Sequence, residues 1–176
     1  MSNLKQIGLG IIQYTQDYDE KYPQVYNLSI GSTTDWLYNI QPYIKSTQIF
    51  NCPSAEAANI EWTGAPNVGT LSYGMSVLFE PNNAGFAPQG MSLSAIDQPS
   101  QTILVADSYT MRIVPEGYAK TASYDVPTRY IDYRHLETAN TLFCDGHVKS
   151  LHEADIQQKD PTKTGDMQFV LWGFPS

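Results

Sequence analysis

Five residues whose side chains ligate metals or move protons fall within residues 132–152: Asp132, His135, Asp145, His147 and His152. Imidazole nitrogens and carboxylate oxygens are the donor set of a divalent transition-metal centre, and such a centre would activate water for hydrolysis. Their spacing argues against that use. No two histidines stand at i and i+4 of a helix, and no His-X-His alternation puts a pair on one strand face. Residues 140–151 read as a hairpin, which leaves His135 and Asp145 at opposite ends of one strand, about 30 Å apart at ~3.3 Å per residue if fully extended. Structural roles account for both: His135 bonds the loop before the strand, and Asp145 forms the turn.

Two cysteines, Cys52 and Cys144, complete the reactive inventory. Two thiolates alone do not fill a four-ligand structural zinc site. Two states stay open: a Cys52–Cys144 disulfide, which an oxidising compartment would permit, or two buried free thiols. The chain contains no GxSxG nucleophile elbow, phosphate loop, dinucleotide glycine motif or zinc-protease motif. The reading is of a protein that is not an enzyme, with no catalytic, cofactor-binding or metal-binding residue assigned. A metal-dependent hydrolase using the histidines is the lesser rival.

The 176 residues are 41% apolar and 16% charged, with 12 tyrosines and 11 prolines, which describes one folded domain able to bury a core. A net charge of −8 argues against nucleic acid and anionic lipid as partners. No run approaches the ~20 apolar residues of a membrane span.

The elements that must position these residues begin with residues 2–23 (SNLKQIGLGIIQYTQDYDEKYP). Leu4, Ile7, Ile11, Tyr14 and Tyr18 recur at steps of three and four, the apolar face of an amphipathic helix, and Leu9 and Ile12 broaden it. The helix is expected to run about five turns until Pro23 forces Tyr22 out of helical geometry. Gly8 and Gly10 weaken it by up to ~1 kcal/mol each relative to alanine, a cost that a bend or a closely approaching neighbour would explain.

Trp36, Ile40 and Tyr43 predict a short second helix that begins near residues 33–35 and is ended or kinked at Pro42. Residues 70–78 alternate Leu71, Tyr73, Met75 and Val77 on one face of a half-buried strand, with Gly74 marking a bulge or close backbone approach. Residues 102–107 (TILVAD) form a central strand that ends on an acidic residue, and residues 111–114 a further one. In the hairpin, Asp145-Gly146 is expected to make a two-residue type I′ turn. Residues 167–172 add a last apolar segment, and residues 24–32, 55–69, 80–90 and 115–127 are loops. No repeat or linker divides the chain. The fold class is α+β: a spine helix over residues 1–22 and a head over residues 23–176.

Ser2 to Leu9, with Tyr14, Asp17, Tyr18 and the Tyr22-Pro23 stop, resembles the segment just after the membrane-spanning part of bacterial prepilin-like proteins. These are the type IV pilins and type II secretion pseudopilins, in particular the branch named for a C-terminal H-X9-DG motif. Ile49-Phe50-Asn51-Cys52-Pro53-Ser54 and residues 93–107 (LSAIDQPSQTILVAD) resemble further stretches of that branch. His135, nine residues, then Asp145-Gly146 match its signature.

The resemblance implies a pilin-like fold, an N-terminal helix packed on an antiparallel sheet of four or more strands with long loops. It implies a structural subunit of a type IV pilus or type II secretion pseudopilus, located in the cell envelope or an extracellular filament. Partners are copies of itself or other pilin-like subunits, with Leu4, Ile7, Ile11, Tyr14 and Tyr18 on the helix that packs in the filament. The inner membrane is touched only through an apolar half-helix that these residues do not include, a departure from the family pattern read as its deliberate removal for solubility. Some major pseudopilins bind calcium through an acidic loop. Calcium stays open here without an identifiable site. The alternative is a ligand-binding or adhesive surface protein on the same scaffold, which would turn Tyr and Trp outward from residues 80–90 and 109–127.

Overall fold

In the first stretch, the apolar period becomes helix α1, Ser2–Asp17, with Leu4, Ile7, Gly8, Gly10, Ile11 and Thr15 buried. The computed structural model of the chain describes residues 1–24, 36–55, 60–61, 70–76, 90–113, 131–159 and 161–162. Gly8 lets α1 close on the sheet, since a Cβ there would stand 3.0 Å from Leu142 Cδ1.

Two expectations for α1 are corrected. The helix stops at Asp17 rather than running to Tyr22, because Asp19 (φ 51°) and Glu20 (φ 55°) take left-handed geometry that ends it before proline can. Leu9 and Ile12 do not broaden the buried face, being 61% and 41% exposed. At about 100° per residue Leu9 stands some 200° round the helix from Ile7, on the opposite side. Tyr18 is also outside, 52% exposed and stacked on Tyr14 with ring centroids 4.2 Å apart.

Beyond the helix end, Tyr22 turns inward. Its backbone N–H donates to Met91 O, its O accepts from Gly90 N–H, and its hydroxyl donates to Cys144 O at 2.8 Å. Helix α2, Trp36–Ile40, passes into a 3-10 turn at Gln41–Tyr43 containing Pro42, as expected of a helix interrupted by proline. Trp36 meets Phe50 edge-on at 6.3 Å and donates from Nε1 to Met111 O.

Strands β1 (Ile60–Glu61) and β2 (Thr70–Leu71) form a small antiparallel pair. The main sheet contains β3 (Tyr73–Ser76), β4 (Ile103–Asp107), β5 (Arg112–Ile113), β6 (Thr138–Phe143) and β7 (Val148–His152), in the order β5-β3-β4-β6-β7. The four strands β3, β4, β6 and β7 are antiparallel, giving the α+β arrangement. The fifth, β5, runs parallel to β3, so the sheet is mixed at one edge. As the sequence indicates, β4 is central, and all five of its residues are buried. A short helix α3, Glu153–Ile156, follows β7.

The expected half-exposed alternation of β3 is not observed. All four of its residues are buried, as are Leu71 and Ser72 before it. The face carrying serine and glycine is covered by backbone: a Cβ on Gly74 would fall 2.5 Å from Thr110 O and 2.8 Å from Ile113 Cγ2. The hairpin turn also differs from a two-residue loop. Gly146 N–H donates to Phe143 O, Phe143 N–H donates to His147 O, and only Gly146 has positive φ, at 89°. That is a three-residue loop closed by a left-handed glycine, in which Asp145 keeps ordinary geometry and caps His147 N–H with Oδ1. Expectations about the start of the second helix, Trp62, Val77, the loop at residues 80–89, residues 114–130 and the apolar segment 167–172 lie outside the described residues.

Substitution of Gly74 by Ala is expected to cost about 1–3 kcal/mol in urea denaturation, because backbone cannot give way to the added methyl. Gly8→Ala should fall within about 1 kcal/mol of the native chain, its gain in helix propensity offsetting a small shift of Leu142. Tyr22→Phe should lose roughly 1–2 kcal/mol, leaving Cys144 O without its buried donor. Burial raises the Tyr22 phenol above its ordinary 10.0, so its contribution is fully present below that pH and declines above it. The phenylalanine variant should lose part of that alkaline decline. Tyr14, Tyr73, the buried Cys144 thiol and Tyr43 add to it, the last pushed up to about 12 chiefly by its hydrogen bond to Asp17.

Candidate functional site

Three reactive side chains from three distant stretches converge at the end of β4. A 3-10 turn at Thr47–Phe50, capped by Ser46, delivers Cys52, whose backbone N–H donates to Ser72 Oγ at 2.9 Å. The last residue of β4 is Asp107, fully buried, with Oδ2 accepting Asn140 N–H at 2.6 Å. His135 stands in the turn that leads into β6. Its Nε2 lies 3.5 Å from Cys52 Sγ and 3.3 Å from Asp107 Oδ2, and its side chain is 26% exposed. The sulfur, nitrogen and oxygen all lie within 4.8 Å of one another.

Backbone around the cluster holds it in place. Asp132 N–H donates to Asp107 O, and Ile131 bridges Ser108, so residues 131–134 run beside the exit of β4. The Arg134 side chain is nearly covered there, paired with Asp132 at 2.5 Å, donating from Nη2 to Ser108 O and placed 5.8 Å from the Tyr109 ring centroid. The turn itself is strained. His135 and Thr138 exchange backbone hydrogen bonds across Leu136 (φ 54°) and Glu137 (φ 61°), two consecutive left-handed residues of types that rarely adopt that geometry. Leu136 is 95% exposed and gains no burial in return.

Burial pushes the Asp107 carboxyl above the usual carboxylate range. The Asn140 N–H, His135, Arg134 and the amino terminus oppose that rise. Asp107 Oδ1 has no hydrogen-bond partner among the described residues. Tyr73 also adjoins Cys52 and Asp107, and burial is the chief cause of its raised phenol pKa. The arrangement is not a nucleophilic relay. A Cys-His-Asp relay uses opposite ring nitrogens for thiol and carboxylate, whereas here both face Nε2.

Of the five residues first grouped by type, only His135 enters this cluster. Asp132 pairs with Arg134, and Asp145 Oδ1 meets His147 Nδ1 at 2.6 Å while the His147 ring stacks on Phe143. His152 Nδ1 faces Glu137 O at 3.2 Å. As expected, His135 and Asp145 sit at opposite ends of β6. Asp107 was legible only as the acidic end of an apolar strand, and Cys52 only as one of two thiols. Contacts 83 residues apart, such as Cys52 with His135, leave no local spacing to read.

The Cys52–Cys144 disulfide is not formed, and both residues are buried free thiols. Cys52 sits against His135 before β6 and Cys144 follows it, with six residues at ~3.3 Å each between. That is about 20 Å, far beyond the ~7 Å Cα limit of a disulfide. Burial pushes the Cys144 thiol up to about 12.

Neither a scan against models of known protein families nor searches of curated proteins and of solved structures gave a match for this chain. No helix among the described residues is long and apolar enough to cross a membrane.

Replacing Leu136-Glu137 by Asn-Gly should stabilise the chain by about 1–2 kcal/mol, because these residue types take left-handed geometry with little strain. The thermal midpoint and urea denaturation would measure the gain.

Proposed function

We propose that the chain is a pilin-like structural subunit of a bacterial filament, of type IV pilus or type II secretion pseudopilus kind, that assembles through α1 and is not an enzyme. The observation that supports this is the two-sidedness of α1. Leu4, Ile7 and Ile11 are buried in the chain's own core, while Leu9 and Ile12 leave a second apolar stripe facing outward, with Tyr18 exposed just past the helix end. A helix that serves its own sheet with one face keeps the other for a different surface of the next subunit. Repeating such a heterologous contact builds a helical polymer. The filament-packing set therefore shifts from Leu4, Ile7, Ile11, Tyr14 and Tyr18 to Leu9, Ile12 and Tyr18, of which Tyr18 alone is common to both. The words resembling prepilin-like proteins at both ends and in the middle of the chain supply the rest of the case. Partners are further copies or other pilin-like subunits. The location is the cell envelope, with anchorage in the inner membrane before assembly.

The native gene tests this directly. The codons before Ser2 should encode a short basic leader, a glutamate five residues into the mature chain and ~20 apolar residues. In cells carrying that full gene, Leu9→Glu with Ile12→Glu should abolish filaments while the isolated domain's thermal midpoint moves by no more than about 4 °C. An unrelated domain upstream, or filaments indifferent to both substitutions, would overturn the assignment.

A further inference from the structure

We infer that Cys52, Asp107 and His135 form a binding site for one divalent transition-metal ion of the zinc class, independent of the filament reading. The donor set is one thiol sulfur, one imidazole nitrogen and one carboxylate oxygen, the mixture that borderline-soft zinc takes. Zinc bonds of ~2.3 Å to sulfur and ~2.0–2.2 Å to nitrogen and oxygen give tetrahedron edges of about 3.3–3.7 Å. The observed separations of 3.5 Å for Cys52 Sγ to His135 Nε2 and 3.3 Å for His135 Nε2 to Asp107 Oδ2 match such edges. The third separation, Cys52 to Asp107, is within 4.8 Å, so a modest side-chain movement brings all three donors onto one centre.

A second observation points to a ligand. Asp107 is fully buried, yet its Oδ1 has no hydrogen-bond partner among the described residues. A carboxylate withdrawn from water with one oxygen unanswered is costly; an ion bound across both oxygens would engage Oδ1 as well as Oδ2, which already accepts the Asn140 N–H. The nearby Arg134 spends only Nη2, on Asp132 and Ser108 O, and its Nε and Nη1 have no hydrogen-bond partner among the described residues, so the guanidinium lends its charge to the region without bonding Asp107 Oδ1. A divalent ion held by a thiolate and a carboxylate leaves no net charge at the site. The fourth coordination position would face the partly exposed side of His135 and be taken by water. The ion would join the 3-10 turn before Cys52, the end of β4 and the strained turn before β6, segments that no disulfide connects.

The test uses the whole chain, reduced and freed of metal by a chelator, titrated with Zn²⁺ in a calorimeter and with Co²⁺ in a spectrophotometer. One ion per chain, a thiolate-to-cobalt charge-transfer band and a zinc-dependent rise of several degrees in thermal midpoint are expected. Cys52→Ser and His135→Gln should each weaken binding at least tenfold, whereas Cys144→Ser, which removes the other buried thiol, should leave it unchanged. Circular dichroism identifies any variant that fails to fold, and the cobalt spectrum of the native chain then decides. No stoichiometric binding, cobalt bound without the thiolate band, or undiminished binding by folded Cys52→Ser would overturn the site.

Discussion

A buried carboxylate at the end of the central strand is the constraint that the surrounding structure answers. Asp107 finishes β4 with no exposure to water, and its Oδ2 accepts the Asn140 N–H from the neighbouring strand. That bond is charge-assisted and short, so it ties the end of β4 to β6 more strongly than a ladder bond alone. The backbone oxygen of the same residue receives Asp132 N–H, which lays residues 131–134 alongside and brings His135 into contact. On the other side, Ser108 N–H bonds Ser72 O, and Ser72 in turn holds the Cys52 backbone. Three stretches remote in sequence are thus registered on one residue.

The parts legible in sequence were those set by local periodicity or by proline. The apolar face of α1, the buried run of β4, the hairpin of β6 and β7 and the interruption at Pro42 all follow from spacing that neighbours in sequence share. What the sequence concealed was set by tertiary context. Asp19 and Glu20 carry no helix-stop signal, yet hydrogen bonds from Tyr22 to Met91 and from Leu93 to Glu20 draw the chain out of the helix early. The face of β3 bearing Gly74 and Ser76, continued by Ser72 before it, reads as solvent-facing, but small residues there admit covering backbone. The cluster of Cys52, Asp107 and His135 draws one residue from each of three elements, and no pattern within any one of them announces it.

Left-handed geometry at Leu136 and Glu137 fits the same logic. Such residues are held against their preference only where the surroundings over-determine the backbone. Here the paired hydrogen bonds between His135 and Thr138, the packing of Arg134 against Tyr109 and the register of β6 all act on one short turn. The consequence of the strain is the placement of His135 over a carboxylate and a thiol. A relaxed turn of different reach would swing the imidazole away from both.

The helix relates the two proposals in space. Asn3, in the first turn of α1, donates to Asn51 O beside Cys52, whereas Ile12 lies against Gly146 at the far end of β6. The start of α1 therefore sits near the cluster and its end near the hairpin loop. In the filament reading, an apolar half-helix continuing α1 backwards would leave the domain beside the cluster, where the pull of assembly and of membrane anchorage enters the fold. A clip joining the ends of three elements at that point would resist such a load better than the hairpin end, which joins β6 and β7 alone. That gives a metal site there a mechanical use without requiring it to do chemistry.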